Sequence, residues 1–153
     1  MTRTIHFDQL RLPDVTALLD LHVAAMRGQS PADACHVLAA DALDRPDILF
    51  LTLRGSGELQ AIGALKLLGG GAGEIKSMRT APAHLGFGAG RAMLQAIIAE
   101  ARHRGLTHIL LETGRSFDFT AANRLYDSAG FLPCGPFGGY PESPFTRFLR
   151  LDL

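Results

Sequence analysis

Residues 74–104 hold the feature that most constrains the fold: an alternating segment, a glycine-rich turn and an amphipathic segment follow one another directly. The first segment, EIKSMRT, reads as a strand that ends before Pro82, because proline cannot donate to a sheet ladder. The last, RAMLQAIIAEARHR, repeats apolar residues at helical spacing and predicts one buried stripe. That stripe consists of Leu94, Ile97, Ile98 and Ala101. The unit therefore predicts an α/β domain with this helix packed against a core.

The turn between the two segments carries glycines at alternate positions, Gly86, Gly88 and Gly90. A glycine turn that opens a helix leaves the first backbone N–H groups unpaired, and the helix dipole makes that end positive. Phosphate is the usual occupant of such a seat. The other interpretation is a tight connection that needs residues with positive φ. The G-x-G-x-G spacing matches neither the dinucleotide fingerprint nor the P-loop.

Regular alternation along the strand predicts which of its side chains share a face. It places Ile75, Ser77 and Arg79 on one face of the sheet. It places Glu74, Lys76, Met78 and Thr80 on the other face.

The chain before this unit predicts a strand, two helices and a hairpin. Thr4–Asp8 is a strand, and Asp14–Met26 is a helix that buries Val15, Leu18, Leu19 and His22. Ser30 and Pro31 predict the start of a second helix that reaches about Ala42. Ile48–Leu53 and Leu59–Leu67 are strands joined by a hairpin turn. Gly69–Gly73 is expected to be a mobile loop.

The chain after this unit predicts a strand, a helix and two closing strands. Thr107–Thr113 is the strand, and the helix ends at Ala129 because Gly130 takes the position after it. Leu132–Phe137 and Phe145–Leu151 are the closing strands. The turn-rich connection between them, which includes Tyr140, is expected near a substrate entrance.

Composition excludes several classes of protein. The chain has 153 residues, a size typical of one domain over residues 1–153, with 15 basic and 15 acidic residues. This balance argues against nucleic acid as a partner, and no apolar run is long enough for a membrane span. Two cysteines and six scattered histidines show no metal-ligand spacing. We expect a cytoplasmic protein without a metal site.

Two segments carry a resemblance to a known family. LGFGAG, residues 85–90, resembles the pyrophosphate-binding motif [RQ]-x-x-G-x-[GA] of the GNAT acyltransferases. NRLYDSAGF, residues 123–131, is similar to the second signature of that superfamily, and the wider likeness is to its bacterial small-molecule branch. The resemblance implies the GNAT fold: a mixed, mostly antiparallel sheet flanked by helices and splayed beside the fourth strand.

The resemblance also implies a function. It is transfer of an acetyl group from acetyl-CoA to a primary amine of a small molecule, by direct attack in a ternary complex. Leu85 stands where the family usually has Arg or Gln, which leaves open a catalytically silent acyl-CoA-binding sensor or partner module. A nucleotide-binding domain is a third alternative. The acceptor and the oligomeric state, a homodimer included, stay open.

By the same resemblance, the cofactor contacts fall on two stretches and one helix residue. They are Met78, Arg79, Thr80, Leu85, Gly86, Phe87, Gly88, Ala89, Gly90, Arg91 and Asn123. Asn123 is expected to bind the pantetheine arm, or else to help cap its helix.

The catalytic residues implied are Tyr126, as the acid for the thiolate leaving group, and Glu74, as the base for the amine. In the alternative interpretations, Tyr126 is a core tyrosine and Glu74 is an exposed carboxylate at the end of its strand. Glu112 is a competing base. His22 is a core histidine or a substrate contact. His36 and Tyr140 are further candidates for the substrate mouth.

Overall fold

The computed structural model describes residues 2–153. Seven strands form one sheet, and four helices accompany it, with helices on both of its faces. The strands are β1 Arg3–Phe7, β2 Ile48–Gly55, β3 Glu58–Gly69, β4 Ala72–Thr80, β5 His108–Gly114, β6 Leu132–Pro133 and β7 Thr146–Asp152. The helices are α1 Pro13–Gln29, α2 Ala40–Leu43, α3 Ala89–His103 and α4 Thr120–Ser128. Short 3₁₀ turns lie at Ala32–Ala34, Pro82–His84 and Phe117–Phe119.

The sheet has the order β1-β2-β3-β4-β5-β7-β6, and its neighbours are antiparallel except for β4 and β5. One face packs against α3, whose predicted stripe is buried, with Ile97 fully inaccessible and Ile98 the most exposed member at 8%. The other face packs against α1, where the four predicted residues from Val15 to His22 are all buried. The predicted mixed, mostly antiparallel α/β sheet is therefore confirmed.

Two tight turns connect β2 to β3 and β3 to β4. Ser56 and Gly57 have φ of 52° and 81°, and Gly70 and Gly71 have φ of 60° and 80°. Positive φ at both central residues is the signature of the hairpin turn that matches strand twist. The first hairpin is confirmed. The mobile loop expected at Gly69–Gly73 is wrong, because these glycines close a second hairpin and Ala72 already belongs to β4.

The segment after α1 does not form the predicted second helix. Ser30 is the C-cap of α1 in extended conformation, and only one 3₁₀ turn follows before the chain runs extended to Ala39. Leu38 packs against the core beneath α1, and His36 stacks on Tyr140 with ring centroids 4.8 Å apart. Tertiary packing of these side chains overrides the local helix signal. The predicted closing strand Leu132–Phe137 is likewise shorter, since only two of its residues pair.

The central strand β4 contains a β-bulge that overturns the predicted alternation. Ile62 pairs with Arg79 and Ala64 with Lys76, so that Gly63 faces two residues, Ser77 and Met78. Ser77 has φ of 54°, which is rare for a residue with a side chain. One extra residue reverses the faces of everything that follows it.

The bulge changes the face of the sheet on which two predicted site residues lie. Met78 packs with Ile75 on the α3 face, whereas Arg79 reaches His22 of α1 on the opposite face. The expectation that Glu74 and Met78 share a face is therefore wrong, and so is the grouping of Arg79 with Ile75.

β4 and β5 pair only over their first residues and then diverge. The parallel register runs from Ala72 opposite His108 to Glu74 opposite Leu110, and it ends there. β4 continues to Thr80 and β5 to Gly114 without further pairing between them. The predicted splay beside the fourth strand is confirmed, and it opens a cleft through the sheet.

Candidate active site

The cleft between the diverging strands has a volume of about 470 Å³ and contacts both layers of helices. On the α3 side it is lined by backbone and apolar groups, among them Met78, Gly86, Gly90, Leu125 and Tyr126. On the α1 side it is lined by ionisable groups. We call these the charged wall: His22, Glu74, Lys76, Arg79 and Glu112.

The N-terminus of α3 forms the opposite boundary of the cleft. We call residues 85–91 the glycine wall. Gly88 is the N-cap with φ of 80°, and the first helical hydrogen bond runs from the Ala92 amide to its carbonyl. The amides of residues 89–91 therefore have no partner within the helix. No acidic residue lies in the first turn, so the positive end of the helix is free for an anion.

Gly90 lies in a closely packed position. A Cβ there would lie 3.3 Å from Thr80 Oγ1 and 3.6 Å from Leu125 Cδ2. A side chain would therefore fill the narrow space where β4, α3 and α4 meet.

Arg3 of β1 holds the glycine wall from behind, a contact that no sequence motif indicated. Its Nη2 donates to the Phe87 carbonyl at 2.6 Å, and its Nε donates to Gln60 Oε1 at 2.8 Å. These two bonds connect β1, β3 and the turn before α3.

The predicted cofactor residues divide into two groups. Met78, Arg79, Thr80, Leu85, Gly86 and Gly90 line the cleft. Phe87, Gly88, Ala89, Arg91 and Asn123 do not. The Phe87 side chain is 74% exposed, Ala89 is buried, and Arg91 lines a separate, smaller depression beside Arg102. Within the stretch 85–91, the residues that reach the cleft are therefore Leu85, Gly86 and Gly90.

Asn123 has both ends of its amide occupied within the protein. Its Nδ2 donates to the Gly114 carbonyl at 2.9 Å, and its Oδ1 accepts from Arg147 Nη1 at 3.1 Å. These bonds tie α4 to the end of β5 and the start of β7. Asn123 is neither a cap nor a lining residue here, because it lies inside α4 and its side chain points away from the cleft.

Glu74 is buried in a hydrogen-bonded cluster. It is 2% exposed, and its Oε2 accepts from the Tyr140 hydroxyl at 2.8 Å and lies 3.3 Å from Lys76 Nζ. Lys76 also donates to the Tyr140 hydroxyl at 2.6 Å. Burial raises the pKa of Tyr140, and the Glu74 carboxylate raises it further. The interpretation of Glu74 as an exposed strand-end carboxylate is wrong.

Glu112 is the less constrained carboxylate of the charged wall. Its neighbour Leu111 packs on the α3 side, so alternation directs Glu112 to the α1 side. Among residues 2–153 it makes no hydrogen bond through its side chain, and it is half-buried. Burial raises its pKa to about 7, with Lys76 lowering it and Glu74 raising it. At neutral pH it can both accept and release a proton.

Tyr126 lies in the wall of the cleft between the two sets of groups. It is 8% exposed, and its ring packs edge-on against Phe131 at 5.9 Å. Its hydroxyl has no hydrogen-bond partner in the described part of the chain, which differs from the expected pattern of a core tyrosine. Burial raises its pKa to about 12, so the phenol stays protonated at neutral pH.

His22 and Arg79 form the remaining contact of the charged wall. Arg79 Nε donates to His22 Nδ1 at 3.0 Å. Burial lowers the pKa of His22 to about 4, and the Arg79 charge lowers it further, so the ring is neutral. The sequence singled out His22, but it assigned Arg79 only a backbone role. Its side-chain contact depends on the bulge at Ser77.

His36 and Tyr140, the two candidates for the substrate mouth, stack on each other with ring centroids 4.8 Å apart. His36 lines the cleft, whereas Tyr140 lies behind it and contacts the cleft through Glu74 and Lys76. Within residues 2–153, no group of three or more His, Cys, Asp or Glu side chains could hold a metal ion. No helix of that same stretch combines the length and apolar character needed to cross a membrane.

Comparison with known proteins gives concordant findings. The sequence profile of the acetyltransferase (GNAT) family matches residues 15–131. The chain is 42% identical over 150 residues to the uncharacterized N-acetyltransferase YedL of Escherichia coli K12, covering 98% of this chain and 94% of YedL. It is 41% identical over 149 residues to the uncharacterized N-acetyltransferase YsnE of Bacillus subtilis 168, covering 97% of this chain and 99% of YsnE.

A solved structure shares the fold at low sequence identity. It is a GNAT family acetyltransferase from Elizabethkingia anophelis with acetyl-CoA bound, similar to this chain with a TM-score of 0.74 and 18% identity. The alignment covers 99% of this chain and 98% of that one.

Proposed function

Because the chain belongs to the acetyltransferase (GNAT) family and is an acyltransferase, we propose that it transfers an acetyl group from acetyl-CoA to a primary amine of a small molecule. The amine attacks the thioester directly while both substrates are bound. The single observation that carries this proposal is the cleft, which has donors for an anion at one side and a titratable carboxylate at the other.

The glycine wall fits the diphosphate of the cofactor. The amides of residues 89–91, the cleft-lining glycines Gly86 and Gly90 and the acid-free first turn of α3 supply donors and space for an anion. Leu85, which is 62% exposed, cannot donate a hydrogen bond through its side chain. Affinity for the cofactor therefore depends on backbone donors, which a change of side chain does not remove.

The bulge gives β4 a further role toward the thioester. An extra residue in one strand leaves part of the ladder unpaired, and Met78 lies at that point beside the cleft. We assign its amide to the thioester carbonyl, whose oxygen gains negative charge as the amine attacks. A fixed N–H donor stabilises such an oxygen more in the transition state than in the ground state.

Glu112 is the base that this geometry supports best. A lysine-like amine has a pKa of ~10.4, so releasing its proton near pH 7 costs about 4.6 kcal/mol. Glu74 is already engaged by Lys76 and Tyr140, whereas Glu112 lines the cleft with no hydrogen bond of its own among the described residues. With a pKa of about 7, it takes up the proton directly or through a water molecule.

Tyr126 assists the leaving group. Its hydroxyl is protonated and unpaired within residues 2–153, and its ring lines the cleft. A phenol of pKa about 12 is a weaker acid than a thiol of pKa ~8.5, so full transfer of its proton costs about 5 kcal/mol. We therefore assign Tyr126 a hydrogen bond to the departing sulfur, which lowers the energy of the thiolate.

The proposal is tested by release of free thiol from acetyl-CoA over a panel of primary amines, with mass spectrometry of the acetylated products. Turnover of at least one amine at a rate above spontaneous acetylation is the expected result. Tight CoA binding without turnover of any amine would instead favour the silent sensor. Stronger thermal stabilisation by ATP or NAD than by CoA would favour a nucleotide-binding domain.

A further inference from the structure

Arg79 is a half-buried cation whose protein partner is a neutral group. Its Nε donates to His22 Nδ1 at 3.0 Å. No carboxylate of the described chain lies within ion-pair distance of it, and no hydrogen bond is made there by its two terminal nitrogens. The side chain lines the cleft.

Six of the twelve other arginines in this chain pair their guanidinium with a carboxylate. Each forms an ion pair with an aspartate or glutamate: Arg11, Arg45, Arg54, Arg104, Arg147 and Arg150. Several of these side chains are largely exposed, so water could have solvated them in any case. Arg79 is half-buried, and its side-chain partner is an imidazole instead of a carboxylate.

His22 cannot supply the missing negative charge. Its ring is uncharged at neutral pH, since burial lowers its pKa to about 4. Because Nδ1 accepts the bond from Arg79, the ring proton lies on Nε2. The pair therefore presents only donors, the guanidinium N–H groups and the imidazole N–H, to the cleft.

The rest of the charged wall does not neutralise Arg79 either. Glu74 and Lys76 compensate each other at 3.3 Å. Glu112 forms no ion pair with Arg79 in the described chain, and Lys76 and Glu74 are the charged groups that shift its pKa. The Arg79 guanidinium thus lines the cleft without an ion pair of its own among residues 2–153. Leaving a charge in such a place is costly unless an anion joins it.

We propose that Arg79 binds a carboxylate carried by the acceptor, so that the substrate class is an amino acid in which the amine and the carboxylate are close together. The planar fork of a guanidinium matches the two oxygens of a carboxylate. Arg79 directly follows Met78, whose amide we assign to the thioester, so a short acceptor spans the two positions. This inference rests on the proposed function and specifies its acceptor.

The experiment measures kcat/KM for matched pairs of acceptors, namely the common L-α-amino acids and β-alanine, each against its own carboxamide. The acid-over-amide ratio is then compared between the native protein and the Arg79→Gln variant. Intrinsic differences in amine reactivity cancel in this comparison. We expect the ratio to fall about 10–150-fold in the variant, the equivalent of one lost hydrogen-bonded charge pair.

Two further variants separate recognition from folding. Arg79→Lys retains the positive charge without the planar guanidinium, and we expect its acid-over-amide ratio to lie between those of the native protein and Arg79→Gln. Arg11→Gln removes a surface cation that pairs with Asp41 and Asp44 away from the cleft, and it should leave the ratio unchanged. CoA affinity and thermal unfolding of each variant show whether the fold is intact.

The outcomes distinguish this inference from the proposed function. Equal ratios in the native protein and Arg79→Gln would overturn the inference while acetylation of amines stands. Preference for O-phosphoethanolamine over β-alanine would also overturn it, since the anion would then be a phosphate. If no amine is acetylated, the inference is tested by binding, as thermal stabilisation of the protein–CoA complex by the same amino acids. Absence of that stabilisation would also overturn the inference.

Discussion

The two walls of the cleft are built in different ways. The glycine wall comes from one continuous stretch, residues 85–91, and it offers backbone amides. The charged wall combines three residues of β4 with distant parts of the chain: His22 of α1 is 57 residues from Arg79, and Glu112 lies on β5. One wall is a property of local backbone geometry, and the other exists only when the whole sheet has formed.

This difference implies different sensitivities. Backbone donors keep their positions when a neighbouring side chain changes, which explains how Leu85 can occupy a place where a hydrogen-bonding residue is expected. Paired side-chain charges depend on each member, because removing one leaves the other buried without compensation. Substitutions on the glycine wall should act through bulk, and those on the charged wall through charge.

The largest effect is expected from a bulky anion on the glycine wall. In Gly90→Glu a side chain enters a space that a Cβ would already fill to within 3.3 Å of Thr80, and its charge repels a phosphate. We expect loss of at least about 100-fold in CoA affinity, since hydrogen bonds to charged groups contribute about 1.5–3 kcal/mol each. Isothermal titration calorimetry measures this loss.

A matched glycine provides the control for that variant. A Cβ at Gly135 would have no atom within 4 Å, and this residue lies outside the cleft lining. Gly135→Glu should bind CoA as the native protein does. Undiminished CoA binding by Gly90→Glu would reject the glycine wall as the diphosphate site.

The next effect in size comes from the two carboxylates of the charged wall. Glu112→Gln should lower kcat/KM by about 100–10,000-fold, the usual contribution of a general base, with CoA affinity unchanged. Glu74→Gln should lower it less, because Glu74 is held by Tyr140 and Lys76. A larger loss in Glu74→Gln than in Glu112→Gln would exchange the two roles.

The pH profile sharpens this assignment. Glu112 must be ionised to act as a base, and its pKa is about 7. kcat/KM should therefore rise with pH below about 7 and level off above it, until the substrate amine itself titrates near pH ~10. In Glu112→Gln, this limb of the profile, the rise of kcat/KM below about pH 7, should be absent. Persistence of that limb would assign it to another group.

A smaller effect is expected at Tyr126, which borders both walls. Tyr126→Phe removes the hydrogen bond to sulfur and should lower kcat by about 10–1000-fold, with little change in CoA affinity. Single-turnover kinetics separate this chemical step from product release. Unchanged turnover would remove Tyr126 from the leaving-group role.

The smallest effect concerns stability on the charged wall. The pKa of His22 is about 4 in the folded protein and 6.5 ordinarily, so the unfolded chain binds the proton first as the pH falls. The contribution of His22 to the free energy of unfolding is fully present above pH 6.5 and is lost toward pH 4, by up to about 3 kcal/mol. Urea unfolding measures this slope.

Glu112 acts in the opposite direction over an overlapping range. Its folded pKa is raised, so folding becomes more favourable as the pH falls through 7. The His22 slope should therefore be clearest in Glu112→Gln, and adding His22→Asn to that variant should flatten it. A slope that survives the second substitution would come from other groups.

Much of the glycine wall could be predicted from the sequence because its signals are local. The stripe from Leu94 to Ala101, the positive φ of Gly86 and Gly88 and the end of the strand before Pro82 all follow from neighbouring residues. The sequence also identified Tyr126 and Glu112 as groups of the cleft. Their catalytic roles stay predictions.

What the sequence missed depends on tertiary structure. A single extra residue at Ser77 reversed the faces expected for Met78 and Arg79. The extended path of residues 35–39 replaced a predicted helix. No local pattern indicated that the Asn123 side chain bonds to Gly114 and Arg147.

The sequence by itself determined the α/β class and the strand–turn–helix unit with its glycine turn, because backbone conformation and periodicity are set by residues close along the chain. An anion site at that turn stays a prediction. Only the tertiary structure decided which charges meet. It paired Glu74 with Lys76 and Tyr140, left Glu112 to the cleft and placed Arg79 against His22. The physical reason is that pairing across the sheet depends on register, and one bulge is enough to change it.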